Sequence, residues 1–148
     1  MIDNRPRFAA PKAMLDRKPK HGQPCNDCGL CCVATLCALG KRLFSREHGP
    51  CPALIKTDKD KYGCGVVHYT GIYAKPVFPD VKLDERSLAS LKHAALMLIF
   101  AGKGCDARFN GELADQKFYQ KMEAYDKRNA RALAEARKLW GINQNTAR

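Results

Sequence analysis

The fold of this chain is decided by one short stretch, Cys25-Asn26-Asp27-Cys28-Gly29-Leu30-Cys31-Cys32. It places four thiols within eight residues. A Cys-x-x-Cys pair curls the backbone so that both sulfurs face one centre, and Gly29 keeps Cβ bulk out of the bend. A hydrophobic core does not require such a concentration of thiols, whereas a soft metal ion or an iron–sulfur cluster does.

The other four cysteines are spread more widely, at Cys37, Cys51, Cys64 and Cys105. Three close cysteines followed by a remote Cys-Pro resemble the spacing with which ferredoxins hold a cubane cluster. A structural zinc site would instead take two ligands from a knuckle and two from further along the chain. Eight cysteines would therefore serve one centre with spares, or two centres. We expect zinc or a [4Fe-4S] cluster, and the spacing leans towards iron–sulfur.

The motif residues also resemble a known family, the YkgJ-type cysteine-cluster proteins, which are described as zinc- or iron-chelating domains. Over residues 25–80 the chain matches the family pattern Cys-x-x-Cys-x-x-Cys-Cys, then Cys-Pro-x-Leu, then Gly-Cys followed by an apolar pair. The resemblance implies metal binding by six residues, namely Cys25, Cys28, Cys31, Cys32, Cys51 and Cys64. It does not imply a reaction.

Three further residues are secondary candidates for metal ligands. The family usually continues with Arg-Pro and a last cysteine, where this chain has Lys75-Pro76 and no cysteine. Cys105 or His68 would then supply the final ligand. Cys37 is equally well explained as a small buried hydrophobic residue on a helix.

Composition and charge restrict the class of protein. The chain is long enough for one domain, with 45% hydrophobic residues. No apolar run typical of a secretory signal or a membrane span is present, so we expect a cytoplasmic protein whose thiols bind metal rather than form disulfides. The net charge of +11 is distributed along the chain. It predicts non-specific association with nucleic acid or another polyanion, because no recognition module is visible.

The sequence predicts a small α+β fold, mainly α, in which metal organises an irregular cysteine-cluster loop region. We divide it into a basic extended arm at 1–24, a cysteine-cluster metal-binding domain at 25–110, and a C-terminal amphipathic helix and tail at 111–148. Within the middle part, apolar spacing predicts a helix from Leu30 to Leu39 that Gly40 ends. Residues 41–65 are expected to be an irregular loop, and the β-branched and aromatic residues of 66–78 a short β-hairpin.

Two longer helices are expected after the hairpin. Asp84 is a candidate N-cap for an apolar helix that runs to Phe100 and ends at Gly102 or Gly104, delivering Cys105 towards the cluster. Residues 112–140 form the second helix, with a heptad-like seam. The seam consists of Phe118, Met122, Tyr125, Asn129, Ala132, Ala136 and Leu139. This helix would lie on its own domain or dock on a protein partner, together with the N-terminal arm.

The sequence contains no recognisable catalytic constellation. It has no Gly-rich phosphate loop and no His-Glu-x-x-His helix, and a thiol that binds metal is not free to act as a nucleophile. We therefore expect a non-catalytic, metal-binding protein whose site stabilises the fold, and which is a candidate accessory component of a larger assembly. The alternative is an iron–sulfur redox protein or oxidoreductase.

Overall fold

A computed structural model describes residues 12–34, 36–58, 61–99 and 113–142. Its helices and strands follow one another as α1 (Lys12–Arg17), α2 (Leu30–Ala34), α3 (Ala38–Phe44), β1 (Leu54–Asp58), β2 (Lys61–Cys64), α4 (Gly65–His68), α5 (Thr70–Ala74), α6 (Glu85–Leu98), α7 (Gln116–Arg128) and α8 (Ala130–Leu139). The two strands form one antiparallel hairpin. The predicted class, a small α+β fold that is mainly α, is confirmed.

The predicted Asp84 cap is confirmed at the start of α6. The backbone of Asp84 is extended, and its carboxylate accepts a hydrogen bond from the Ser87 N–H at 2.8 Å. That N–H holds the pKa of the Asp84 carboxyl below its ordinary value. The α6 residues that form the apolar face are buried, namely Leu91, Ala94, Ala95 and Leu98. The helix ends at Leu98, and the expected stop at Gly102 or Gly104 lies outside the described residues.

Helix α6 packs against α8, and Trp140 lies fully buried in their common core. Its indole N–H donates to the Leu91 carbonyl oxygen at 3.0 Å, so the ring is fixed to the middle of α6. The same core contains Leu36 and Leu39 of the motif region and Val66 of α4. The core therefore joins the C-terminal helix to the cysteine-bearing segments.

The prediction of one continuous helix over 112–140 is wrong at Asn129, which separates α7 from α8. The Asn129 amide N–H₂ donates to the Tyr125 carbonyl oxygen at 2.9 Å, one turn back. After the break, Leu133 and the expected seam residue Ala136 are buried, whereas the expected seam residues Ala132 and Leu139 are exposed. Asparagine competes with the backbone for hydrogen bonds, which explains the interruption.

The predicted hairpin over 66–78 is also wrong, and the observed hairpin lies in the segment that was expected to be a loop. Leu54 pairs with Cys64 and Lys56 pairs with Tyr62 across β1 and β2. The β-branched segment that follows forms α4 and α5, since Val66, Thr70 and Ala74 are buried four residues apart. Burial of one helical face overrides the strand preference of these residues.

The expected extended arm does not hold over Lys12–Arg17, which form α1. Met14 is buried in a second small core with Cys28, Leu30 and Val33. Further along, His21 is buried and its Nδ1 accepts a hydrogen bond from the Asp115 N–H at 2.9 Å. The segment that precedes the motif is thus attached to the start of α7. Residues 1–11 lie outside the described residues.

In the described part of the chain, no helix has both the length and the apolar composition that crossing a bilayer requires.

Replacing Trp140 by alanine should lower the free energy of unfolding by about 3–5 kcal/mol, because it removes the largest fully buried side chain. Leu139→Ala is the matched control, since Leu139 is the adjacent residue and its side chain is 47% exposed. That variant should cost about 0.5 kcal/mol or less. Chemical denaturation followed by far-UV circular dichroism measures both changes. Equal losses in the two variants would contradict the packing described for α6 and α8.

Candidate metal centre

The first part of the cysteine motif is a tight bend held against the β-hairpin. Asp27 and Gly29 both have positive φ angles, of 61° and 79°. A Cβ on Gly29 would lie 2.8 Å from the Cβ of Tyr62, so only glycine fits beneath that ring. The Asp27 carbonyl oxygen in turn accepts from the Tyr62 N–H at 2.9 Å. Strand β2 therefore fixes the bend that carries Cys25 and Cys28.

The end of the motif contacts the loop that carries Cys51. The Cys51 N–H donates to the Cys32 carbonyl oxygen at 2.7 Å. Nearby, a Cβ on Gly49 would lie directly against the Val33 carbonyl oxygen and 2.8 Å from that of Cys32. The absence of a side chain at Gly49 lets this loop approach the backbone of α2. Two cysteines that are distant in sequence become neighbours in this way.

Cys37 lies at a break that the sequence analysis did not predict. The expected helix from Leu30 to Leu39 is divided into α2 and α3, and Cys37 is the N-cap of α3. Its Sγ accepts a hydrogen bond from the Gly40 N–H at 3.5 Å. Gly40, expected to end a helix, is buried inside α3 with the Leu36 side chain packed against it.

Cys64 is brought to the same region by the hairpin. It ends β2 and pairs with Leu54, whose N–H donates to the Cys51 carbonyl oxygen at 3.0 Å. Just after it, the Gly65 N–H donates to the Ala53 carbonyl oxygen at 2.7 Å. One end of the hairpin thus holds Cys51 and Cys64 side by side.

Four thiols form an inner group on the main core, which we call the inner thiols: Cys32, Cys37, Cys51 and Cys64. Cys51 is buried in that core, and the other three are partly buried against it. Each interacts electrostatically with at least two of the others. They come from four separate places in the chain, so only the tertiary fold assembles them.

The other three described cysteines form an outer group, which we call the outer thiols: Cys25, Cys28 and Cys31. Cys25 and Cys31 are exposed, and Cys28 belongs to the small second core. Cys25 interacts electrostatically with both other members. Cys31 also hydrogen-bonds to Cys32 and interacts electrostatically with Cys37, so it takes part in both groups.

Backbone amides act on the sulfurs of both groups in a repeated pattern. The amides two and three residues after the cysteine lower the pKa of Cys37, Cys51 and Cys64. At Cys64 these are Val66 and Val67, although neither meets the full geometry of a side-chain cap hydrogen bond. Amides directed at a sulfur favour its thiolate form, which is the form that binds metal.

Burial opposes the amides and dominates in the metal-free thiols. Desolvation raises the pKa of Cys64 to about 11, and it raises the pKa values of Cys25, Cys37 and Cys51. The pKa of Cys32 is raised first by its hydrogen bond with Cys31 and then by burial. These groups are therefore protonated near neutral pH, and they would release protons when a metal binds. None of these five is activated as a nucleophile.

No disulfide joins any of the seven cysteines that the structure describes, so their sulfurs are available to bind metal. Their chemistry fits a soft cation. However, over residues 12–34, 36–58, 61–99 and 113–142, no three Cys, His, Asp or Glu side chains already converge on a point that would hold a metal ion. The thiols lie in one region without forming a closed metal site among the described residues.

The secondary candidates have different positions. Cys37, ranked below the six family-pattern cysteines by the sequence, lies among the inner thiols. His68 is exposed on α4 rather than on a strand, and its Nε2 faces Gly63. Cys105 lies outside the described residues. The sequence signal that would have ranked Cys37 higher as a ligand is its place before Ala-Leu-Gly, where an N-cap residue can begin a new helix.

Comparison of the chain with family models, with curated proteins and with solved structures finds no match.

Gly49→Ala should lower the free energy of unfolding by about 1–3 kcal/mol, because its methyl group would collide with the backbone of α2. It should also speed modification of the Cys51 thiol by a thiol reagent, since the loop must move away. Gly71→Ala is the control, because a Cβ there would meet Leu88 at an ordinary 3.6 Å. The two measurements are denaturation and the rate of thiol modification. Unchanged values for Gly49→Ala would contradict the close approach.

Proposed function

We propose that this chain is a metal-binding protein whose inner thiols hold one zinc ion or one iron–sulfur cluster. The observation that carries the proposal is that Cys32, Cys37, Cys51 and Cys64 all pack in or against the main core and that each interacts with at least two of the others. Four thiolates complete a tetrahedral zinc site and equally the ligand set of a cubane cluster. The bound zinc ion or cluster would cross-link segments that are far apart in sequence.

Two further features favour metal binding over the alternative that the four cysteines serve only as small hydrophobic residues of the core. A cysteine used as a small hydrophobic residue needs no amide directed at its sulfur. Here amides act on three of the four sulfurs, and such interactions orient and tune bound thiolates. The second feature is that three of these residues are partly exposed rather than fully enclosed by the core.

The inner thiols bear on the choice of metal. The ferredoxin-like spacing depended on a joint set of Cys25, Cys28, Cys31 and Cys51. The ligand set proposed here omits the first three, so under this proposal the spacing does not favour iron–sulfur over zinc. A brown protein with visible absorption after anaerobic purification would identify an iron–sulfur cluster rather than zinc.

The role we propose is structural rather than catalytic. The inner thiols lie on α2, at the start of α3, in the loop before β1 and at the end of β2, so a metal bound to them would cross-link these segments. Metal bound there would contribute directly to the folding free energy. A reducing compartment such as the cytoplasm suits this role, because the thiols must stay reduced.

We further propose that α7 provides the surface for partners. Lys117, Lys121 and Arg128 are exposed at spacings of four and seven residues, so they share one face of the helix. A face of this kind attracts a polyanion without reading its sequence. It supports an accessory role in a larger assembly, with contacts set by charge.

The test of the metal proposal is elemental analysis and thermal unfolding of serine variants purified without oxygen. Cys37→Ser and Cys64→Ser should each lose the bound metal and melt at a lower temperature, because binding and folding are coupled. Cys25→Ser is the control, since it is exposed and outside the inner thiols. It should keep the inner metal. Metal-free, folded wild-type protein would overturn the proposal.

Binding to nucleic acid should be weak, independent of sequence and strongly reduced by salt. Replacing Lys117 and Lys121 together by glutamine should reduce the slope of log affinity against log salt by about 0.9 for each lost phosphate contact. Lys127→Gln is the control, because Lys127 already pairs with Glu123 at 3.3 Å. Titration of a labelled duplex at several salt concentrations measures the slopes. An equal change in the control would contradict a role for this face.

A further inference from the structure

An open groove lies between α6 and α8 on the surface of the protein. It has a volume of about 510 Å³, and among the described residues only these two helices line it. Ala94 and Ala136, which are buried in the main core, form its base. Its exposed sides include Ala89, Ser90, His93, Ala132 and Leu139.

Helix α6 has two faces, each with helical spacing. Leu91, Ala94 and Leu98 are buried in the main core. The residues of the second face follow one another at steps of three and four residues, which is the spacing of side chains that meet another helix. This second face lines the groove and consists of Arg86, Ser90, His93 and Met97.

Helix α8 also has residues that its own core does not cover. The heptad-like seam of the sequence predicts that Ala132, Ala136 and Leu139 meet a helix, and Ala136 is buried in the core that α8 shares with α6. Ala132 and Leu139 are exposed and line the groove. Half of the seam therefore remains open to a second helical surface.

The groove contains one charge of each sign. Arg86 lies in the first turn of α6 and Glu135 lies on α8, and both are exposed. Neither forms an ion pair with any of the described residues. With the imidazole of His93 neutral, this surface has no net charge, whereas the whole chain has a net charge of +11. Two copies of so basic a chain repel each other over most of their surface, and a face without net charge is where they can meet.

We propose that this groove is the contact face of a symmetric dimer of the chain. A two-fold axis that passes between Arg86 and Glu135 brings the Arg86 of each copy to the Glu135 of the other, so the same ion pair forms twice. The small side chains of Ala89 and Ala132 allow the helices of the two copies to approach closely. A polyanion is a poorer occupant, because Glu135 would repel it. The dimer requires no bound metal.

The size of this face predicts a reversible dimer. Helix α6 has 14 residues, and two helices side by side present a surface about 20 Å long and about 20 Å wide. Standard interfaces bury about 800 Å² on each partner, so this one belongs to the small class. We therefore expect association that depends on protein concentration.

Sedimentation equilibrium of the full-length protein tests the dimer. The thiols are kept reduced, so that no disulfide can link two copies. The average mass should rise with concentration from that of one chain towards that of two. Arg86→Glu and Glu135→Arg should each weaken self-association by about tenfold or more, because each places like charges opposite each other at two positions.

A mixture of these two variants distinguishes contact between copies from contact within one chain. In a mixed dimer, the new Glu of one copy meets the new Arg of the other, and the native Arg86 and Glu135 meet at the second position. Mixing should therefore restore dimers that neither variant forms alone. Lys92→Glu is the control, because Lys92 is exposed on α6 outside the groove. It makes the same charge change as Arg86→Glu and should dimerise as wild type does.

Three results would overturn the inference, provided that circular dichroism shows folded variants. Wild-type protein that stays monomeric at every concentration would show that the groove has a different occupant. Dimers that both charge reversals leave intact would place the interface elsewhere. Variants that remain monomeric after mixing would rule out the two-fold pairing of Arg86 with Glu135.

Discussion

The arrangement of thiols depends on one backbone contact, the hydrogen bond from the Cys51 N–H to the Cys32 carbonyl oxygen. It joins the end of the motif helix to a loop nineteen residues further along the chain. It holds the Cys51 loop beside α2, and the Leu54 N–H, which donates to the Cys51 carbonyl oxygen, attaches the hairpin to that loop. Gly49 makes the contact possible, because any side chain there would occupy the space of the α2 carbonyl groups.

Local signals in the sequence were sufficient for the features that depend on adjacent residues. The Asp84 cap and the apolar face of α6 follow from side-chain hydrogen bonding and from spacing along one helix. The hairpin and the helices after it could not be predicted in the same way. Val66 and Val67 favour a strand by local preference, and only their place on a core containing Trp140 makes them helical.

The same distinction applies to the candidate metal centre. The motif identifies its chemistry, since closely spaced cysteines point to soft metals whatever the fold. The grouping of those cysteines could not be predicted, because adjacent residues of α2 face different surroundings. Cys31 is exposed and Cys32 packs against the main core. Cys37 shows the converse, as a residue outside the dense motif that the break between α2 and α3 places among the inner thiols.

The cap of α3 determines how well the first turn of that helix is held. Asp84 and Asp115 cap α6 and α7 with carboxylate oxygens. The Asp84 oxygen accepts one backbone N–H at 2.8 Å, and the Asp115 oxygen accepts two, at 3.0 and 3.2 Å. Cys37 caps α3 with sulfur at 3.5 Å, and sulfur is the weaker acceptor. Among these three helices, α3 therefore has the least help from its own first turn. Among these three, the N-terminus of α3 is therefore where fraying would begin. A ligand bound to Cys37 would hold that first turn in place.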